Sequence, residues 1–341
     1  MRTLVSRLRS GRRAGRILLA FLLALAGVLV PSWEAAPSTA AATPIASTPI
    51  SVGSGPVGVA VTPDGDRAYV TGSRSHRVYV IDTATNKVVR SIGGFGLAPV
   101  AVAVAPDGGH AYVVNSGSDS VSVLDTATEK VVDRVEVGSF PTEIVLTPDG
   151  RHAYVTNSWS DNVSVIDTRT REVVRVITVG SSPTGVAVTP DGTSVYVVNS
   201  GYGSPVPLSV IDTRTHRVSG LSVEVGGFPS AVALAPDGNH AYITSLLGTV
   251  SVLDTRTGDI VGSPIPVGWH ARDVVVTPDG RRAYVTGYGT ASVYVIDART
   301  ATVVGSPLEV GGSTDRIAVA PDGLHAYVTH NCCAAVSMID L

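Results

Sequence analysis

The sequence predicts an all-β fold: a seven-bladed β-propeller with four-stranded blades, its ring closed by an N-terminal strand completing the last blade. Three observations carry this. A Pro-Asp-Gly turn, then Ala-Tyr-Val, then Val-Ser-Val-Ile-Asp-Thr recurs in seven variants along the 341 residues. The turn aspartates Asp64, Asp107, Asp149, Asp191, Asp237, Asp279 and Asp322 are spaced by 43, 42, 42, 46, 42 and 43 residues. A β-rich period near forty marks a propeller, because a lone four-stranded unit cannot bury both of its faces. Third, the last copy stops after its third strand, at Ile339-Asp340-Leu341, while residues 48–53 (T-P-I-S-V-G) read as an outer strand without a blade. Pairing the two removes an open sheet edge.

Each copy reads as four strands, and the third shows why. Residues 141–147 form the inner strand, and Thr147-Pro148-Asp149-Gly150 its turn. Proline presets φ at the second turn position and glycine accepts a left-handed conformation at the fourth. Residues 153–157 and 163–167 are the second and third strands. Asp167-Thr168 opens another turn, where short polar side chains can bond the backbone. Residues 173–179 are the outer strand. The strands are mostly Val, Ala and Ile, as expected where neighbouring blades cover both faces.

Ahead of the repeats, residues 1–16 hold six arginines and no acid, residues 17–30 are wholly apolar, and residues 31–42 are small and rich in Pro and Ala. This is the pattern of a signal peptide over residues 1–42, with cleavage expected after Ala40-Ala41-Ala42. An uncleaved anchor is the alternative, and Arg12-Arg13 leaves Sec and twin-arginine export both open. The expected product, residues 43–341, is one secreted or envelope-located domain, a monomer without a stable membrane anchor. It holds 19 basic and 27 acidic residues, a net charge of about −8. An acidic domain without a basic run is a poor partner for nucleic acid.

Tyr154-Val155-Thr156-Asn157, its relatives Tyr112-Val113-Val114-Asn115 and Tyr196-Val197-Val198-Asn199, and the repeated P-D-G and V-I-D-T resemble the YVTN-type β-propeller repeat family over residues 48–341. The resemblance implies a propeller of the surface-layer or lactonase-like kind, and its functions span adhesion-like proteins, lactonases, lyases and redox enzymes.

Repetition supplies an internal control: what recurs in every copy is scaffold. The seven turn aspartates, the seven aspartates that close third strands and the tyrosines of the Ala-Tyr-Val slot are accounted for in this way. His110, His152, His240 and His325 share one repeat position and are expected to be solvated turn residues. What remains gathers on the face of the outer-to-inner connections and second-to-third loops. Phe95, Phe140, Phe228 and Trp269 lie in the former; Trp159, Tyr202 and Tyr288 in the latter. Gly-Phe-Pro recurs at Phe140 and Phe228, which reads as packing plugs. Trp159, Tyr202, Trp269 and Tyr288 break the pattern and are candidate ligand-binding residues.

Charges break it too. Where other copies read Pro-Thr-Gly or Pro-Val-Gly, the sixth has His270-Ala271-Arg272-Asp273, the seventh Thr314-Asp315-Arg316, and the third places Glu143. Such a group at a channel mouth suits a polar-ligand or catalytic site, and equally a salt-bridge network in which Arg272 or Arg316 neutralises Asp273 or Asp315. His330-Asn331-Cys332-Cys333 occupies the corresponding loop of the seventh copy and holds the only cysteines. A vicinal disulfide, a redox or soft-metal role with His330, and an intermolecular bridge are the three readings; two Cys and one His are too few for a closed zinc site.

Gly53-Ser54-Gly55-Pro56-Val57-Gly58 matches a dinucleotide fingerprint without the helix that would follow it, and no nucleophile or metalloprotease motif occurs. The reading adopted is a secreted, non-enzymatic propeller that binds an extracellular protein, glycan, small molecule or envelope component at one mouth, without a cofactor. One alternative is a lactonase-like hydrolase or lyase, with His270 as general acid or base, Asp273 or Glu143 its partner, and Arg272 or Arg316 stabilising an anion. Another is a redox or metal-handling propeller using Cys332 and Cys333, its metal content left open.

Overall fold

The computed structural model describes residues 49–201, 208–219, 223, 225, 227–288 and 291–341. The expected export segment 1–42 and Tyr202 lie outside the described residues.

Seven antiparallel sheets succeed one another along the chain. The third is built from Pro141–Leu146, His152–Asn157, Asn162–Asp167 and Glu172–Thr178, within a residue or so of the sequence expectation. The other innermost strands are Pro56–Val61, Pro99–Val104, Pro183–Val188, Pro229–Leu234, Ala271–Val276 and Thr314–Val319. Both turn types form as the residues dictate. Gly150, at φ 70°, donates its N–H to Thr147 O at 2.8 Å, and Asp167 Oδ1 accepts the N–H of Thr170 at 2.8 Å.

Each interface between consecutive blades holds its own apolar cluster. Between the third and fourth blades, Tyr154, Val163, Val165 and Ile177 pack against Val186, Val195, Val197 and Ile211. This explains why the strands read as continuous apolar runs: every middle strand has a blade on either side. The slot tyrosines are almost wholly buried and reach the next blade with their hydroxyls, Tyr154 to His216 Nδ1 and Tyr327 to Asn86 Oδ1, both at 2.9 Å. Tyr284 faces the seventh blade, where no turn joins third and outer strands, and its hydroxyl has no partner among the described residues. The four histidines expected to be solvated are instead half-buried, because they open second strands rather than sit in the turns. His152 packs edge-on against His216 at 5.1 Å.

The ring closes as the sequence ends imply. Ile50–Ser51 pairs with Ala335–Asp340, Ile50 opposite Val336, and supplies the outer strand of the seventh blade. Ile50 and Val52 then pack with Tyr327 and Val336 against Ala68, Val70 and Ile81 of the first blade. Thr329 Oγ1 donates to Val57 O at 2.7 Å across the same seam.

If this strand completes the ring, Ile50→Asp should cost about 2–4 kcal/mol by placing a charge in a buried interface. Val89→Asp, at an exposed outer-strand position, should cost little. Equal melting temperatures for the two variants would contradict the closure.

Candidate functional site: the channel and its mouth

A bulge re-aims one side chain per blade into the channel. Pairing of each inner strand with its neighbour shifts register after the first residue, as between Pro141 and Glu143, Ala271 and Asp273, and Thr314 and Ile317. Where the second strand carries a threonine at the facing position, the amide of the third residue is caught by its hydroxyl. Glu143, Asp273 and Arg316 donate their N–H groups to Thr156, Thr286 and Thr329 Oγ1 at 3.1, 3.1 and 3.0 Å. The axis is crowded. A Cβ added to Gly58, at the same position in the first blade, would lie 2.7 Å from Val100 O.

Four of the seven blades offer Gly58, Ala101, Gly185 and Ala231 at this level; the other three offer Glu143, Asp273 and Arg316. Arg316 reaches across the channel to set Nη1 2.6 Å from Glu143 Oε2 and 3.5 Å from Asp273 Oδ1. Asp273 Oδ2 also accepts the N–H of Ile317 at 3.0 Å. The cavity these residues line measures about 150 Å³. Burial pushes the Glu143 and Asp273 carboxyls up, and Arg316 opposes both shifts without cancelling them. Burial would lower Arg316, but Glu143 and Asp273 outweigh it and raise its affinity for the proton.

One strand position toward the mouth is a second pair. Arg272 Nε lies 2.9 Å from Asp315 Oδ1, and Asn331 Nδ2 donates to Asp315 Oδ2 at 3.3 Å. Asp315 is buried and Arg272 about two-fifths exposed, at 41% of its side-chain surface. The charged exceptions of the sequence therefore form two ion-pair systems, one bolting the channel and one at its mouth.

His270 is not part of either. It occupies a left-handed backbone position at φ 58°, exposed, with no side-chain hydrogen bond or ion pair among the described residues. Ala98, Phe140, Ser182 and Phe228 hold the equivalent left-handed position in other blades, so its side chain points away from the packed strand. The acid–base couple of His270 with Asp273 or Glu143 is not formed, because both carboxylates are engaged by Arg316.

The rim is apolar. Trp159 is 74% and Trp269 68% exposed, and Tyr288 is half exposed. Phe140 and Phe228 do not act as buried plugs: on a left-handed backbone, both keep 37% of their surface exposed. Phe140 instead stacks on Trp159, centroids 4.6 Å apart and planes 9° from parallel. Phe95 alone of the phenylalanines among the described residues is buried. Leu97 and Leu247, exposed in the same loops, extend the rim, and neither an aromatic ring nor a charge marks them in the sequence. Hydrogen bonds join these loops into a belt: Leu246 N–H to Phe228 O, His270 N–H to Leu246 O, Tyr288 N–H to His270 O, and Ser313 Oγ to Tyr288 O.

His330 belongs to the scaffold. It occupies the slot of Asn115 and Asn157, buried, with its ring Nε2 2.8 Å from Ser337 Oγ, where Asn157 meets Ser164. Burial drives its pKa down to about 4, so it is neutral near pH 7. Cys332 and Cys333 are joined in a vicinal disulfide, both exposed at the rim. Two oxidised sulfurs and an imidazole turned toward Ser337 do not converge as a ligand set. Among the described residues no group of three His, Cys, Asp or Glu side chains is placed to hold a metal ion.

Two carboxyls that bind protons more tightly folded than unfolded oppose folding increasingly as pH rises through their raised range. Arg316 limits that cost. Arg316→Met should therefore cost about 3–5 kcal/mol at about pH 8 and much less at about pH 5, where the carboxyls regain protons. Equal losses of melting temperature at the two pH values would contradict the assignment.

A family model described as YNCE-like beta-propeller matches residues 95–193, from the end of the first blade into the fourth. A solved structure of Kuenenia stuttgartiensis hydrazine synthase is similar in fold, with a TM-score of 0.78 and 24% identity, over 84% of this chain and 96% of that one. No curated protein matches the chain. With seven sheets in a closed ring, the chain is a seven-bladed β-propeller, and both likenesses are consistent with the resemblance stated from the motifs.

Proposed function

We propose that this protein is an exported, non-enzymatic binding propeller that holds a macromolecular ligand, an extracellular protein or an envelope glycan, against the mouth rim. The observation that carries the reading is the exposed apolar arc of Leu97, Phe140, Trp159, Phe228, Leu247, Trp269 and Tyr288 around a bolted channel. A pocket for a drug-sized molecule needs about 300–1,000 Å³. The channel cavity, about 150 Å³ and occupied at its wall by an ion triad, is too small for such a guest. On this face, recognition then falls to the rim.

The rim has the composition of a contact surface. Large flat side chains anchor binding at low conformational cost, and apolar surface gathered around one opening is unusual on a protein without a partner. Stacking on Phe140 holds Trp159 in place before any ligand arrives, which reduces the ordering cost of binding. Arg272 adds a charge at the centre, oriented by buried Asp315. Export rests on the basic, apolar and small-residue succession of residues 1–42. The hydrolase reading has no comparable support, since its proposed base stands apart from its proposed partners.

Envelope extract and a glycan array, probed with the full mature chain, test the proposal. Trp269→Ala and Trp159→Ala should each weaken capture at least about tenfold. Val89→Thr, on an exposed outer strand, should leave it unchanged. Undiminished capture by the double tryptophan variant would rule out the rim as the binding surface.

A further inference from the structure

The repeat shows what the scaffold does with one particular amide. Before three of the inner strands the preceding residue donates its N–H to the side chain of the last residue of the preceding blade's second-to-third loop: Ala98 to His76 Nδ1 at 3.0 Å, Phe140 to Asp119 Oδ1 at 2.8 Å, and Ser182 to Asp161 Oδ1 at 2.8 Å. In the seventh blade this amide belongs to Ser313, and the preceding loop ends in Ala291, which has no side-chain acceptor. The N–H turns instead to Cys332 Sγ, 3.2 Å away. Gly311 and Gly312, at φ 75° and 73°, shape the connection. A Cβ on Gly312 would lie 2.8 Å from Cys333 Sγ, so only glycine lets the backbone lie so close to the disulfide.

We propose that Cys332–Cys333 is a thiol-exchange site on the rim, with Cys333 the sulfur attacked and Cys332 the leaving group. An external thiolate, from a small thiol or a cysteine side chain, attacks exposed Cys333 Sγ and forms a new S–S bond to it. The Cys332–Cys333 bond breaks, and its electron pair leaves on Cys332 as a thiolate. The Ser313 N–H is already aimed at that sulfur and stabilises the developing negative charge. A sulfur so stabilised is the lower-pKa thiol and the faster leaving group. A second equivalent of thiol, attacking the external sulfur of the mixed disulfide, yields the free Cys333 thiol and an external disulfide. The site stands on different residues from the apolar arc, so either proposal can fail alone.

The test uses the full mature chain, incubated with glutathione or with a reduced single-cysteine peptide, then quenched with an alkylating agent and mapped by mass spectrometry. The adduct is expected on Cys333 and the alkyl group on Cys332. Adducts with both thiols assign a general site; an adduct with glutathione alone assigns small thiols, and with the peptide alone, cysteine side chains. In single-cysteine variants, Cys332 in C333S should alkylate with a lower apparent pKa than Cys333 in C332S. Ala291→Asn restores the scaffold acceptor and should draw the Ser313 N–H off the sulfur, slowing exchange about fivefold with the melting temperature kept. Adducts on Cys332, equal thiol pKa values, no adduct with either thiol, or an unchanged rate in Ala291→Asn would each overturn the assignment.

Discussion

Burial of each blade between its two neighbours is the interaction on which the rest depends. A four-stranded sheet whose middle strands are rich in Val, Ala, Ile and Tyr has two apolar faces and nothing of its own to cover either. Stacking copies covers them pairwise, as Tyr154 and Val163 meet Val195 and Ile211. A linear stack would leave two bare end faces. Closing the ring removes both, and the short strand Ile50–Ser51 completes the last blade where the repeat itself runs out. The same closure brings seven inner strands side by side and leaves them no room for large side chains at most positions.

That crowding sets what the axis can hold. A bulge frees one residue per blade to face the channel, and a threonine of the next strand secures its amide. Where the copy reads Tyr-Val-Thr-Asn, as at Thr156, this restraint is present; where it reads Tyr-Val-Val-Asn, as at Val114, it is not. All three charged channel residues sit opposite a threonine. Paired charges here are costly to desolvate and contribute little net stability, yet each is expensive to orphan. Their effect is to fix opposite sides of the ring to one another and to fill the channel.

Much of this was legible in the residues. The period and the turn chemistry specified blade number and strand order, and the incomplete ends specified the closure. Subtracting the repeated residues also found Trp159, Trp269, Arg272, Asp273, Asp315 and Arg316. It failed where identity and orientation part company. His270 looked exceptional, yet its slot has a left-handed backbone that turns any side chain outward. Phe140 and Phe228 looked repetitive and therefore structural, although that same slot exposes them. His330 looked like a ligand beside two cysteines, and is a buried substitute for asparagine. Leu97 and Leu247 carry no chemistry that marks them, and only their shared loops on one face reveal them.

The cross-channel contact between Glu143 and Arg316 joins residues four blades apart in sequence order and exists only if the ring is closed with these partners across the axis. A double-mutant cycle on unfolding free energy with Glu143→Gln and Arg316→Gln measures it directly. A closed, bolted ring predicts a coupling of about 1–3 kcal/mol between the two positions. Additivity to within about 0.5 kcal/mol would contradict both the ring geometry and the bolt.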